Sequence, residues 1–169
     1  TMPIKLNLPI LYNNNCSLHI SQQDTNEWLR EIPMVDIMYF DPPYNKHPYN
    51  IYYFLLDIIN DWNVDTEIPD TFRGQPKNWK KSQYNSLVHA EKAFTDLIDN
   101  TKAKYIVVSY NNDGIIPPEK MEKILNKKGN VEIVELEHKT YNRLKGMADY
   151  KRKHQTKKIK EFLWIVECN

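Results

Sequence analysis

The chain has 169 residues and a formal net charge of +1, with 27% charged and 41% hydrophobic residues, two cysteines and four glycines. That length suits one domain with a real core, and two cysteines are too few for a disulfide framework or a cysteine-built metal site. No stretch approaches the roughly 20 apolar residues of a membrane span and no signal-peptide pattern opens the chain, so a soluble, cytoplasmic domain is expected.

Residues 16–20 read as a short strand. Asp24-Thr25-Asn26-Glu27 has the look of a capping box and opens a helix running to about Glu31. The apolar run Val35-Asp36-Ile37-Met38-Tyr39-Phe40 then reads as a buried strand, stopped by Asp41-Pro42-Pro43-Tyr44, because proline donates no ladder hydrogen bond. A carboxylate, two stiff prolines and an aromatic ring thus stand at a strand's carboxyl end, where open α/β sheets place their ligands. The prolines fix the backbone, so a main-chain carbonyl and the Asp41 carboxylate can point at one spot beside the flat face of Tyr44. Two acceptors and a stacking ring make a receptor for the exocyclic amino group of a planar base.

Residues 51–62 carry apolar side chains at 51, 54, 55, 58, 59 and 62, the spacing of a helix with one buried stripe. Residues 63–85 are long, polar and spiked with aromatics, and loops of that length are usually functional or mobile. Arg73, Lys77, Lys80 and Lys81 are its candidate phosphate contacts, and Gln75 or Asn78 its candidate readers of base edges. Residues 87–98 predict a second amphipathic helix with Leu87, Ala90, Phe94, Leu97 and Ile98 on one side. Residues 103–110 predict a strand buried on both faces, and 117–127 a helix that starts on prolines and stops before Gly129. Residues 131–137 and 162–166 are strands that close the sheet.

The near-neutral net charge hides an asymmetry. From Lys139 to Lys160 there are nine basic residues against one acid, Asp149, whereas from Asp57 to Asp70 there are five acids and no base. Residues 139–160 therefore form a basic connection fit to meet a polyanion. The five histidines show no ligand spacing, and no metal role is assigned.

Four segments carry a resemblance: Asp41-Pro-Pro-Tyr-Asn45, the run from Tyr105 to Gly114 (YIVVSYNNDG), the run from Thr140 to Lys145 (TYNRLK), and the strand-like run from Lys160 to Ile165. In that order and spacing the chain resembles the DNA adenine-N6 methyltransferases of the Dam-like kind, which use S-adenosylmethionine. The resemblance implies a Rossmann-like α/β sheet, mostly parallel with an antiparallel C-terminal strand. It also implies that the target adenine is flipped out of double-stranded DNA, since N6 cannot be reached inside the stack. Asp41 and the Pro42 carbonyl would then accept from the amino group and Tyr44 would stack on the base. Asp24 and Asp41 are the cofactor candidates by this likeness, although Asp24 reads equally well as a plain helix cap. Tyr141, Arg143 and Lys145 would lie beside the base pocket and reach DNA. Asp-Pro-Pro-Tyr also occurs in enzymes that methylate cytosine N4 or a ribosomal RNA guanine amine, which are the alternative enzyme readings.

The family pattern is not complete. Its members carry a glycine-rich cofactor loop, but Gly74, Gly114, Gly129 and Gly146 are scattered, and glycine is needed in such a loop for steric reasons. The chain is therefore expected to be the catalytic portion of a methyltransferase, incomplete on the N-terminal side of its sheet. Its partners would be DNA and a missing N-terminal half or a second polypeptide. A non-catalytic nucleic-acid-binding fragment is the reading from a different class.

Overall fold

A computed structural model describes residues 7–11, 15–71, 74–77, 79–137 and 159–169. Helix α1 (Thr25–Glu31) starts on Asp24, whose Oδ1 accepts from the backbone N–H groups of Asn26 at 3.0 Å and Glu27 at 3.2 Å. Strand β1 (Val35–Phe40) follows with the bounds that its apolar run predicts. Helix α2 (Asn50–Asn60), a 3₁₀ turn (Gln83–Asn85) and helix α3 (Ala90–Asn100) lead to β2 (Ala103–Asn111). Helix α4 (Pro118–Leu125) and strands β3 (Gly129–Glu137) and β4 (Lys160–Cys168) complete the described elements.

The strands form one mixed sheet in the order β1-β2-β4-β3. Strand β1 runs parallel to β2, with Val35 opposite Ala103 and Phe40 opposite Val108. Strand β4 is antiparallel to both of its neighbours. Strands β1, β2 and β3 therefore run in one direction and the C-terminal strand β4 runs against them, the directions expected of a mostly parallel sheet with an antiparallel C-terminal strand.

One face of the sheet carries the core. Ile106, Val108, Trp164 and Val166 are buried there against Leu29, Phe94, Leu97, Ile98, Met121 and Leu125 of the three packed helices. Burying each large side chain of this set contributes about 1.5–3 kcal/mol. Helix α1 is tied to α3 by Asn26, whose Nδ2 donates to the Ala93 carbonyl at 2.9 Å and to Asp96 Oδ2 at 2.8 Å. Arg30 adds an ion pair to Asp96 at 3.0 Å.

The other face is uncovered among the described residues, and expectations of burial or structure fail at four segments. Strand β1 is buried only at Met38 and Phe40, and Ile37 is 64% and Tyr39 57% exposed. Strand β2 is not buried on both faces, since Tyr105 is 41% exposed. Helix α2 forms, but none of its residues is buried. Residues 16–20 make no strand, and Leu18 and Ile20 are exposed. Periodicity shows which side of an element is apolar; it does not supply the surface that covers it. Leu87 is likewise exposed, because α3 starts at Ala90 rather than at residue 87.

Candidate active site

Strand β1 delivers Asp41 to its carboxyl end, where Pro42 is buried and the Asp41 side chain is exposed. Asp41, Pro42 and Pro43 line a cavity of about 810 Å³, together with Asp24, Asn50, Lys80, Lys81 and Tyr84 among others. The structure thus gathers two sequence-predicted carboxylates and two predicted lysines around one space. Asp24 caps α1 and faces this cavity at the same time, so its two readings are compatible. Lys77 and Tyr44 are not part of the lining, and Tyr44 lines a second cavity instead. Arg73, Tyr141, Arg143 and Lys145 lie outside the described residues, as do the basic residues from Lys139 to Lys158. Lys160, the last of that run, pairs with Glu135 at 2.7 Å on the β3–β4 ladder.

The turn after Asp41 is held by three anchors. The Ile115 N–H donates to the Tyr44 carbonyl at 3.0 Å. The Tyr44 ring meets the Tyr110 ring at a centroid distance of 6.3 Å and an interplanar angle of 89°. The Asn85 Nδ2 donates to the Asn45 carbonyl at 2.8 Å. Tyr110 is itself fixed, since its hydroxyl accepts from the Ile116 N–H at 3.3 Å. Gly114 permits this packing: a Cβ there would lie 2.1 Å from Cε1 of Tyr110. Two of the four resemblance segments, 41–45 and 105–114, therefore meet in space.

Asn85 has no assigned role in the sequence reading. It is only 6% exposed, and its Oδ1 accepts from the Ser82 N–H at 3.2 Å while Ser82 caps the 3₁₀ turn. The Ser82-x-x-Asn85 spacing is the local signal that could have found it. Tyr84 was also missed. Its hydroxyl donates to Asn26 Oδ1 at 2.7 Å, joining the 3₁₀ turn to α1. Burial, with the Asp24 charge next, pushes that hydroxyl well above the usual tyrosine range, so it stays a neutral donor. The Asn50 Oδ1 is buried with no hydrogen-bond partner, although Asn50 borders the same cavity.

The loop of residues 63–85 rests on α2. Gln75 Nε2 donates to the Ile51 carbonyl, and the Trp79 ring meets Phe54 at 5.9 Å and 81°. A second cavity of about 350 Å³ lies on the other side of the Pro43-Tyr44 turn, lined by Pro43, Tyr44, Asn45, His47, Tyr49, Tyr52 and Tyr53. Burial, and then the Asp41 charge, raises the Tyr49 hydroxyl above its ordinary value. Among the described residues no group of three or more His, Cys, Asp or Glu side chains is placed to hold a metal ion. No helix among them is long and apolar enough to cross a membrane.

Residues 5–133 match the family model of the D12 class N6 adenine-specific DNA methyltransferases. The chain belongs to this family. It is 32% identical over 161 residues to the modification methylase StsI of Streptococcus sanguinis, covering 93% of this chain and 23% of that protein. It is 31% identical over 160 residues to the type II methyltransferase M.NlaIII of Neisseria lactamica, covering 94% and 46%. Against the type II methyltransferase M.FokI of Planomicrobium okeanokoites it is 27% identical over 164 residues, covering 97% and 24%. This D12-class chain thus spans less than half the length of each of these three relatives. No solved structure matches it significantly.

Proposed function

We propose that this chain carries the acceptor side of methyl transfer to N6 of adenine in DNA, as part of a restriction-modification system, with S-adenosylmethionine as donor. The observation that carries the reading is the clamped Asp41-Pro42-Pro43-Tyr44 turn, whose first three residues line the 810 Å³ cavity and whose Tyr44 lines the smaller one. A turn held from three sides has little freedom to lose on binding, and oriented reactants can avoid roughly 7–11 kcal/mol of barrier. Asp41 and the Pro42 carbonyl accept from the amino group of a flipped adenine and aim the nitrogen lone pair at the donor. Asp41 then stabilises the positive charge that develops on the nitrogen. Tyr44 stacks on the base, worth about 1–3 kcal/mol.

The donor supplies an electrophilic methyl group on a sulfonium centre. The Asp24 and Asp41 carboxylates fit its hydroxyl, amino and cationic groups, and both border one cavity. A glycine-rich loop is not among the residues of this chain, which favours a sheet continued along the free edge of β1 by a further polypeptide segment bearing that loop. Lys80 and Lys81 at the cavity meet phosphates in this reading. Arg73, Lys77, Tyr141, Arg143 and Lys145 join them as residues 63–85 and 139–160 close on the duplex.

The test is titration with S-adenosylmethionine, then labelled methyl transfer to adenine-containing duplex, by the chain alone and with the missing segment supplied. Transfer on complementation, abolished by Asp41→Ala with duplex binding nearly intact, is expected. Retained transfer in Asp41→Ala removes Asp41 from the mechanism. Duplex binding with no transfer under any complementation would leave the second reading, a nucleic-acid-binding module, which the scattered glycines favour.

A further inference from the structure

Helix α2 carries apolar side chains on two sides. One side is held, since the Trp79 ring meets Phe54 at 5.9 Å and Gln75 Nε2 donates to the Ile51 carbonyl. The side roughly a third of a turn away is not covered among the described residues. Leu55 is 62%, Leu56 57% and Ile59 56% exposed, and their spacing makes one helical stripe. Trp62 stands at the end of that stripe and is 77% exposed.

Trp62 occupies a position where a helix usually ends on glycine. Its φ is 51°, in the left-handed region, and the next N–H, that of Asn63, closes the helix on the Ile58 carbonyl at 3.0 Å. A bulky side chain is strained in that conformation, and burial within the chain does not offset the strain. A strained residue with its ring in solvent, beside three exposed aliphatic side chains, points to a contact made outside the fold.

The two ends of α2 differ in charge. Lys46 is exposed shortly before the helix, whereas Asp57, Asp61, Asp65, Glu67 and Asp70 are exposed towards and beyond its carboxyl end. An acidic surface repels a phosphate backbone, so nucleic acid does not fit here, and an apolar stripe of this kind suits a protein. The charges also fix an order for two copies of the helix. Side by side and parallel, they would set acid on acid. Antiparallel, an 11-residue helix keeps the two acidic ends about 16 Å apart. That is about twice the screening length of roughly 8 Å, and Lys46 of each copy then approaches the acids of the other.

We propose that the occupant of this stripe is a second copy of the chain, α2 against α2 in antiparallel order about a two-fold axis. Such an interface is self-complementary and closes at two copies. Leu55, Leu56 and Ile59 form its centre and Trp62 of each copy closes over the other's helix. The interface is smaller than those of obligate dimers, so a dissociation constant of about 10–100 µM is expected. The inference stands apart from the methyl-transfer reading. It explains why a helix that follows the Asp41 turn presents leucines and a tryptophan that it does not bury, and the axis relates two Asp41 cavities, one in each copy.

The experiment is sedimentation equilibrium of the 169-residue chain across about 1–300 µM, a range that brackets the expected constant. A monomer–dimer equilibrium with no larger species is expected. Ile59→Glu should leave a monomer at every concentration, with the circular dichroism of the native chain. Ile37→Lys, on the open sheet face, should leave the dimer intact. Trp62→Gly should weaken the dimer about tenfold without lowering the melting temperature of the dilute monomer, because glycine takes that φ without strain. Lys46→Glu should weaken the dimer about threefold, and adding Asp61→Lys should restore it. A chain that stays monomeric throughout overturns the proposal, as do species larger than a dimer. Loss of the dimer in Ile37→Lys with retention in Ile59→Glu moves the contact to the sheet face and also overturns it. Native association in both Trp62→Gly and Lys46→Glu overturns the antiparallel α2 pair even if a dimer forms.

Discussion

The two faces of the sheet differ sharply. On one, Ile106, Val108 and Val166 are fully buried and Trp164 is 1% exposed. On the other, Ile37, Tyr39 and Tyr105 meet solvent on neighbouring strands, with no helix over them among the described residues. The first face contains the interactions that make a domain; the second is apolar and unfinished. The turn after Asp41 packs against the finished side. Phe40, the last residue of β1, is buried in the core, and Tyr44, Asn45 and Tyr110 are joined by hydrogen bonds and ring contacts to residues of the same side. Tyr39 of the open face nevertheless lines the Asp41 cavity, so whatever covers that face also borders the site.

The largest contrast should be between these faces. Trp164→Ala is expected to cost about 3–5 kcal/mol, measured by denaturant unfolding. Ile37→Ala on the open face should stay within about 0.5 kcal/mol in the isolated chain. A comparable loss in both variants would erase the distinction. If Ile37→Ala is silent alone but lowers activity after complementation, the open face is where the additional segment sits.

A smaller effect is expected at Asn85. Asn85→Ala removes both a capping acceptor and the donor to the Asn45 carbonyl, at a cost of about 1–3 kcal/mol. Asn85→Asp separates the two roles, because its carboxylate still accepts from Ser82 but offers no N–H to Asn45. That variant should keep most of the stability while amide exchange at His47 and Ile115 speeds up as the turn loosens. Unchanged exchange would show that the turn is held without Asn85.

The smallest effect concerns pH. The hydrogen bond from Asn26, reinforced by Arg30, holds the Asp96 carboxyl below its usual range. The unfolded chain binds that proton more readily, so the stabilisation is complete above the ordinary aspartate value near 4 and is lost as pH falls through the depressed folded value. Asp96 is 40% exposed, so the contribution is screened to about 0.5 kcal/mol or less. Asp96→Asn should flatten this part of the acid unfolding curve. A curve as steep as that of the native chain would place the titration elsewhere.

The sequence reveals elements where punctuation is local. Asp24 and Glu31 bracket α1, and Pro42 ends β1 at Phe40. The candidate site was legible for the same reason, since Asp41, Pro42 and Tyr44 are contiguous. Burial was less legible. The apolar spacing of α2 is real, but a stripe becomes buried only if another element lies on it, and that partner is not encoded in the stripe. The Asn85 clamp was invisible because it bridges 40 residues and nothing in the sequence between them announces the bond.

The clamp on the turn after Asp41 has a kinetic consequence. Residues 44, 45, 85, 110 and 115 are brought together only after β1 and β2 have paired and the 3₁₀ turn has docked. Contacts of such long range form late, since loop closure must come first. A nascent or half-folded chain therefore has no clamped turn, and whatever chemistry the turn carries waits on the folded protein.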